Sequence, residues 1–252
     1  MALAVTDIRR RLGEAFHIHY LSETTSTNDV AMQLTREGAP GGTLVISDYQ
    51  SAGRGRRGAR WCAPAESSVL CSLLLRPEKP MPPAHLAILS GVGAANALQG
   101  QQYPVKVKWP NDLLLHDRKV AGILVETLPD AVVIGVGINC TVPEEAFPED
   151  IRTYAGSLHA LATAPVRREK LLVALAQGLT DAFARVEAGS IIKVLYEWNT
   201  MNWFARRKVR VSGPFSVVEG DGLFLNGNKL VFHVFKDAGF LTMPLSSTVE
   251  AR

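Results

Sequence analysis

Between residues 105 and 140 four short β-rich runs, "VKVKWP", "DLLLH", "KVAGILVE" and "AVVIGVGINC", follow one another, broken only around Pro110, Asn111, Asp117 and Pro129. Runs that short and that closely punctuated read as adjacent strands of one sheet. Upstream, "TLVISDYQ" (43–50) and "SSVLCSLLLRP" (67–77) add two further strands, the second closed by Pro77. Helical spacing takes over in "STNDVAMQLTREG", where Ser26 or Thr27 can cap the start, Asp29 suits the first turn and Gly38 can end it. "PPAHLAILSGVGAANAL" predicts a helix rich in small residues, and "REKLLVALAQGLTDAFARVEAG" (168–189) carries an i, i+3, i+4 apolar stripe that "IIKVLYEWN" continues. The expected fold is α+β, a mixed sheet flanked by helices.

From Arg206 the pattern changes. "RKVRV", "FSVVEG", "GLFLNG", "KLVFHVF" and "GFLTMPL" are short strands broken by Gly, Asn and Asp, a small all-β appendage of about 45 residues. The division falls near residues 203 to 206, giving 1–203 and 204–252. With 47% hydrophobic and 20% charged residues the chain is ordinary globular material, and a net charge of +3 over 252 residues does not call for a polyanionic partner. Cys62, Cys71 and Cys140 have neither CxxC spacing nor a companion histidine cluster, so they read as reduced thiols of a cytoplasmic protein. "MALAVTDIRRRLGEAF" reaches charge too early for a secretory signal, and no run of apolar residues is long enough for a membrane span.

The charge that exists is focal. "GRGRRG" (53–58) joins two of the core strands, and its glycines allow close approach to a ligand while its arginines supply bidentate donors for phosphate or carboxylate. A solvated basic loop or a nucleic-acid arm would look the same. The dinucleotide fingerprint does not fit, because "ARWCAPAESS" with Pro64 follows where a helix should open. "KVKWPNDLLL" sets Lys106 and Lys108 on alternate strand positions before Trp109, Asn111 and Asp112, which a plain hairpin would also explain. "RKVAGILVE" starts a strand with Lys119 and removes a side chain at Gly122; "GVGINC" ends another at Asn139.

Taken in order, "TTSTND", "QSAGRGRRG", Trp61, "KWPNDLLL", "RKVAGILVE" and "GVGINC" resemble the biotin protein ligases, also called biotin-[acetyl-CoA-carboxylase] ligases, over roughly residues 20–140. The resemblance implies ATP-dependent conversion of biotin to biotinyl-5'-adenylate, then transfer to one lysine of a biotin carboxyl carrier protein. It assigns Lys119, Arg56 and Arg54 to the reacting carboxylate and phosphate. Biotin contacts fall on Ser26, Thr27, Asn28, Gln50, Gly53, Gly55 and Gly122 together with those three. Trp61, Lys108, Asn111, Asp112 and Asn139 lie on the nucleotide side, with magnesium accompanying ATP near Asp112. The C-terminal part would be a small SH3-like β-barrel. Regulatory members carry an N-terminal DNA-binding helix-turn-helix; with "TTSTND" starting at residue 24, the monofunctional type is expected and no DNA partner.

Ala59 stands where the family's loop commonly continues with arginine, and the C-terminal "FHVFKDAGFLTMPLSSTVEAR" lacks the glycine-glutamate ending of the family's β domain. A mobile arginine lid that orders over the adenylate is expected. The rival readings are a lipoate ligase on the same fold, a nucleic-acid-binding module, and an adenylate-binding regulator without transfer. Exposed sheet edges would allow a homodimer.

Overall fold

The computed structural model describes residues 2–213, 217–226, 231–236, 239–244 and 247–251. The chain runs α1 (Val5–Leu12), β1 (His17–Thr24), α2 (Thr27–Arg36), β2 (Thr43–Gln50), β3 (Ser68–Leu75), α3 (Pro83–Gly100), β4 (Lys106–Lys108), β5 (Asp112–Leu115), β6 (Arg118–Leu128) and β7 (Ala131–Asn139). Then come α4 (Leu158–Leu161), α5 (Arg168–Glu187) and α6 (Ile191–Met201).

Seven strands form one sheet in the order β1-β2-β3-β7-β6-β5-β4. Only β1 and β2 run parallel, and α2 is the crossover such a pair needs; every other neighbour is antiparallel, as the short turns of the meander require. β3 is buried along its whole length, consistent with its unbroken apolar run, because both faces of the sheet are covered there. One face packs on α3 and α5, in a core that includes Ile46, Leu73, Leu89, Leu172 and Trp198. The small residues of α3 have a purpose: a Cβ on Gly93 would stand 2.7 Å from the Gly178 carbonyl oxygen, and one on Gly178 2.6 Å from that of Gly93, so the two helix backbones touch.

α5 is also tied to the sheet by charge. Arg168 donates to Asp48 at 2.8 Å and to the Ser68 carbonyl at 3.2 Å, and Tyr20 donates to the other Asp48 oxygen at 2.6 Å. The opposite face is covered only in part. α2 seals Val45, Leu74, Ala131 and Val133 with Ala31, and the sheet beside it stays open as a cavity. No helix among the described residues is long and apolar enough to cross a membrane.

The C-terminal appendage is β-structured as expected but is not the closed barrel. Strands β8 (Lys208–Ser212), β9 (Val217–Asp221) and β13 (Thr248–Ala251) make one three-stranded sheet in the order β13-β8-β9. β10 (Leu223–Leu225), β11 (Val231–Lys236) and β12 (Gly239–Pro244) make another in chain order. The break lies at Gly222, whose φ of +88° turns the chain between β9 and β10 and whose N–H is spent on the Arg207 carbonyl. Pairing therefore switches sheets instead of closing. Residues 215–216, 227, 229–230, 237–238, 245–246 and 252 of the C-terminal stretches named above lie outside the described residues.

Candidate functional site

A cavity of about 230 Å3 opens on the α2 face of the sheet, at the C-terminal end of β2 and over β6 and β7. Twelve of the fifteen residues singled out in the sequence line it: Ser26, Thr27, Asn28, Gln50, Arg54, Gly55, Arg56, Trp61, Asn111, Asp112, Lys119 and Gly122. Three do not. Gly53 sits behind the wall and accepts the Trp61 backbone N–H at 2.9 Å. Asn139 is buried and donates to the Gly156 carbonyl at 3.1 Å. Lys108 rests 5.0 Å from the ring centroid of Trp203, away from the cavity.

One wall is a chain of hydrogen bonds. The Thr27 N–H, which can only donate, meets Gln50 Oε1 at 2.7 Å, so the amide of Gln50 is oriented with its Nε2 hydrogens turned away from Thr27. The Thr27 hydroxyl reaches the same oxygen at 3.0 Å, and Ser72 Oγ lies 2.8 Å from that hydroxyl. Ser72 donates to Asn28 Oδ1 at 2.6 Å, and Asn28 Nδ2 donates to Glu126 at 2.7 Å. Ser72 and Glu126 were not legible as site residues: a serine within the apolar run of β3 and a glutamate near the end of β6 take on meaning only once β3 and β6 face α2.

The floor is bare backbone. Gly122 and Gly137 are cross-strand partners on β6 and β7, and the Trp61 indole lies on them: a Cβ at Gly137 would stand 2.5 Å from Trp61 Cε2, and one at Gly122 2.9 Å from Cζ3. The space over Gly122 thus holds an aromatic edge. The Trp61 Nε1–H is buried and meets no partner among the described residues, which makes it a donor waiting for a ligand acceptor.

The third side is cationic. Lys119 Nζ pairs with Asp112 Oδ1 at 2.7 Å and stands 5.9 Å from the Trp61 ring centroid. Arg56 and Arg60 reach the cavity from the glycine-arginine loop, which closes on itself through a bridge between Arg54 and Arg60 and a single 3-10 turn over Arg56–Gly58. Desolvation holds the Arg56 guanidinium below its ordinary pKa, and the Arg57 charge adds to that; a guanidinium stays a cation all the same. Arg54 lines the cavity but spends its guanidinium on Asp29 at 2.5 Å, 3.7 Å from Glu126, so it ties the loop to α2 and β6. No helix follows the loop, which removes the dinucleotide-fold reading. A second, wider cavity of about 830 Å3 continues past the loop between Pro82, Ala87, Trp109 and Val125.

Residues 20–140 match the model of the biotin/lipoate A/B protein ligase family. A biotin--[acetyl-CoA-carboxylase] ligase of Paracoccus denitrificans is 35% identical over 178 residues, covering 67% of this chain and 72% of the relative. The chain belongs to the biotin/lipoate A/B protein ligase family. The bifunctional ligase/repressor BirA of Bacillus spizizenii is 35% identical over 154 residues, 56% of this chain and 46% of the relative. The chain thus spans about half the length of the ligase/repressor relatives it matches. In fold it is similar to the biotin protein ligase from Aquifex aeolicus solved with biotin and ATP, at a TM-score of 0.81 and 23% identity over 94% of this chain and 99% of that one. The members of this family are ligases, and the cavity's cations and polar wall lie within the matched stretch or lean on it.

Proposed function

We propose that the chain joins biotin to ATP, giving biotinyl-5'-AMP and pyrophosphate, and passes the biotinyl group to a lysine of the biotin carboxyl carrier protein of a carboxylase. One observation carries the choice of substrate. The polar chain from Thr27 through Gln50, Ser72 and Asn28 to Glu126 lies beside a cluster of Lys119, Arg56 and Arg60 in one cavity. A ureido ring satisfies the first and a carboxylate the second. The dithiolane ring of lipoate has no N–H or C=O to meet that wall and would leave the Gln50 Nε2 hydrogens without an acceptor, a penalty of about 1–3 kcal/mol.

In the first half-reaction a carboxylate oxygen of biotin forms a bond to the α-phosphorus of ATP as the bond to the bridging oxygen breaks and pyrophosphate leaves. Two anions must be brought together, and Lys119, held by Asp112 until they arrive, with Arg56 and Arg60 above, supplies fixed positive charge where negative charge gathers. Trp61 stacks beside the adenylate with its free N–H available to it, and Asn111 and Asp112 line the nucleotide side. Magnesium keeps most of its shell as water and substrate phosphate, so a single carboxylate suffices and Asp112 would hold it; among the described residues no group of three acidic, histidine or cysteine side chains gathers. In the second half-reaction a neutral carrier ε-amine attacks the acyl carbonyl and AMP departs, which needs no protein nucleophile. Gly53 and Asn139 support this site from behind its wall, and Lys108 rests on Trp203 away from it.

Residues 1–203 are the catalytic unit in this reading and 204–252 an appendage held by reciprocal hydrogen bonds of 2.8 Å between Asn199 and Leu225. The free state of Cys62, Cys71 and Cys140 fits a cytoplasmic setting. β1 offers an open edge through which two copies can pair. The test is pyrophosphate release from ATP with biotin, followed by mass spectrometry of a biotin carrier domain. Wild type makes both products, Lys119→Ala makes pyrophosphate at least about a hundredfold more slowly, and a wild type that releases none with biotin refutes the reading.

A further inference from the structure

No described residue beyond Gly137 lines either cavity, yet the C-terminal segment grips the hairpin that carries Lys119 and Asp112. β5 and β6 are joined by two residues, His116 and Asp117, with φ of 49° and 65°. Such a turn favours Asn-Gly, and side-chain-bearing residues in it need outside support. Asp117 Oδ1 accepts the Trp203 indole N–H at 2.7 Å and Arg207 Nη2 at 2.5 Å. The Arg207 guanidinium lies 4.2 Å from the Trp203 ring centroid and also donates to the Trp203 carbonyl at 3.2 Å. Trp203 in turn gives its backbone N–H to Val107 of β4 at 2.9 Å.

Register makes that grip matter. Asp112 pairs with Gly122 and Leu114 with Lys119, so on β5 the two partners are two residues apart and share a face, while on β6 they are three apart. In a regular strand Lys119 and Gly122 would face opposite sides of the sheet. The shift between Leu113 and Leu114 removes one step, and with the Lys119 backbone also held by Tyr154 and Gly156 that irregularity brings Lys119 over Gly122, with its Nζ 3.5 Å from where a Cβ would stand, and within reach of Asp112. A three-residue turn would allow the regular register and turn Lys119 away.

We propose that Asp117, Trp203 and Arg207 form a clasp that fixes the two-residue turn, and with it the register that aims Lys119 into the cavity. The inference rests on the biotin-activating reading above. Asp117 is exposed and Arg207 half-buried, so their charge contributes little by itself; the directional indole donor and the stacked guanidinium select the turn. The three are positioning residues, acting through Lys119.

The experiment measures pyrophosphate release with biotin and ATP for wild type, Trp203→Phe, which keeps the ring and loses the N–H, and Asp117→Ala, which loses the clasp and gives the positive-φ turn nothing in its place. Each is made with Lys119 and with Lys119→Ala, and melting temperatures confirm folding. The clasp predicts a fall in kcat of roughly 10- to 100-fold with the KM for biotin little changed, because Thr27 and Gln50 are untouched. In the Lys119→Ala background the same substitutions change kcat by less than about twofold. Equal losses in both backgrounds, or wild-type kcat in both variants, overturn the clasp while leaving the function standing. A wild type that releases no pyrophosphate overturns both.

Discussion

Replacing Gly137 by alanine puts a methyl group where the Trp61 indole lies. The new Cβ would be 2.5 Å from Cε2 and 2.6 Å from Cζ2, against an ordinary carbon–carbon separation of about 3.5–4.0 Å, so one partner must retreat by about 1 Å. The strand cannot: Gly137 is paired on both sides, with Leu70 and Gly122. Trp61 can, since it belongs to the loop and is held there by one backbone hydrogen bond to Gly53. Overpacking of this kind costs about 1–3 kcal/mol. Charged to the closed loop, that is roughly a 5- to 150-fold loss of its population relative to open forms. Biotinyl-AMP formed on the enzyme and chased with unlabelled ligand should therefore leave faster by that factor in Gly137→Ala, with the melting temperature close to wild type. Gly100→Ala, where a Cβ meets nothing within 4 Å, is the control and should match wild type in both. A Gly137→Ala enzyme that melts early but releases adenylate at the wild-type rate would show that the strand, not the loop, takes the strain, and the account of Trp61 as the movable wall would be wrong.

Arg56→Ala should also leak adenylate, with pyrophosphate formation less affected than in Lys119→Ala; equal release rates for Arg56→Ala and wild type would remove Arg56 from the lid. Arg168→Ala strands Asp48 at 5% exposure and should cost about 3–5 kcal/mol in a urea melt, whereas a loss under about 1 kcal/mol would deny the pair a structural role. Burial pushes the Cys71 and Cys140 thiols up to about 12, so at pH 8 only exposed Cys62 should react with a thiol reagent before unfolding exposes all three. The Asp117 carboxyl is held below its ordinary value, first by the Trp203 hydrogen bond and then by Arg207. Its stabilisation is therefore present above the unfolded carboxylate pKa and is lost as pH falls through the folded one. Between about pH 5 and pH 3 wild type should lose more stability than Asp117→Asn, and parallel pH profiles would contradict that.

The seven-stranded core was readable where period and punctuation were strong: β2 coincides with the run at 43–50, and β3 to β7, α2, α3, α5 and α6 differ from the predicted segments by a few residues at their ends, while the single turn of α4 was not foreseen. α1 and β1 gave no signal. β1, "HIHYLSET", is an edge strand whose residues are half or fully exposed, so burial imposed no alternation on it. The appendage was recognisable as β-rich, but whether its strands close on each other depends on Gly222, and one glycine does not announce which sheet follows it. At the site, local motifs located the residues that line the cavity. The Ser72–Asn28–Glu126 link and the Asp117 clasp join segments 44 to 98 residues apart, and no stretch of sequence displays such a bond. Lys108 and Asn139 show the converse: each sits beside a motif yet spends its side chain elsewhere.

Calorimetric titration of the purified protein with biotin and then with lipoate, each with and without a non-hydrolysable ATP analogue, tests the central claim most directly. The account predicts that biotin binds, that the analogue tightens it, and that lipoate gives no heat. Binding of lipoate with silence toward biotin would contradict it.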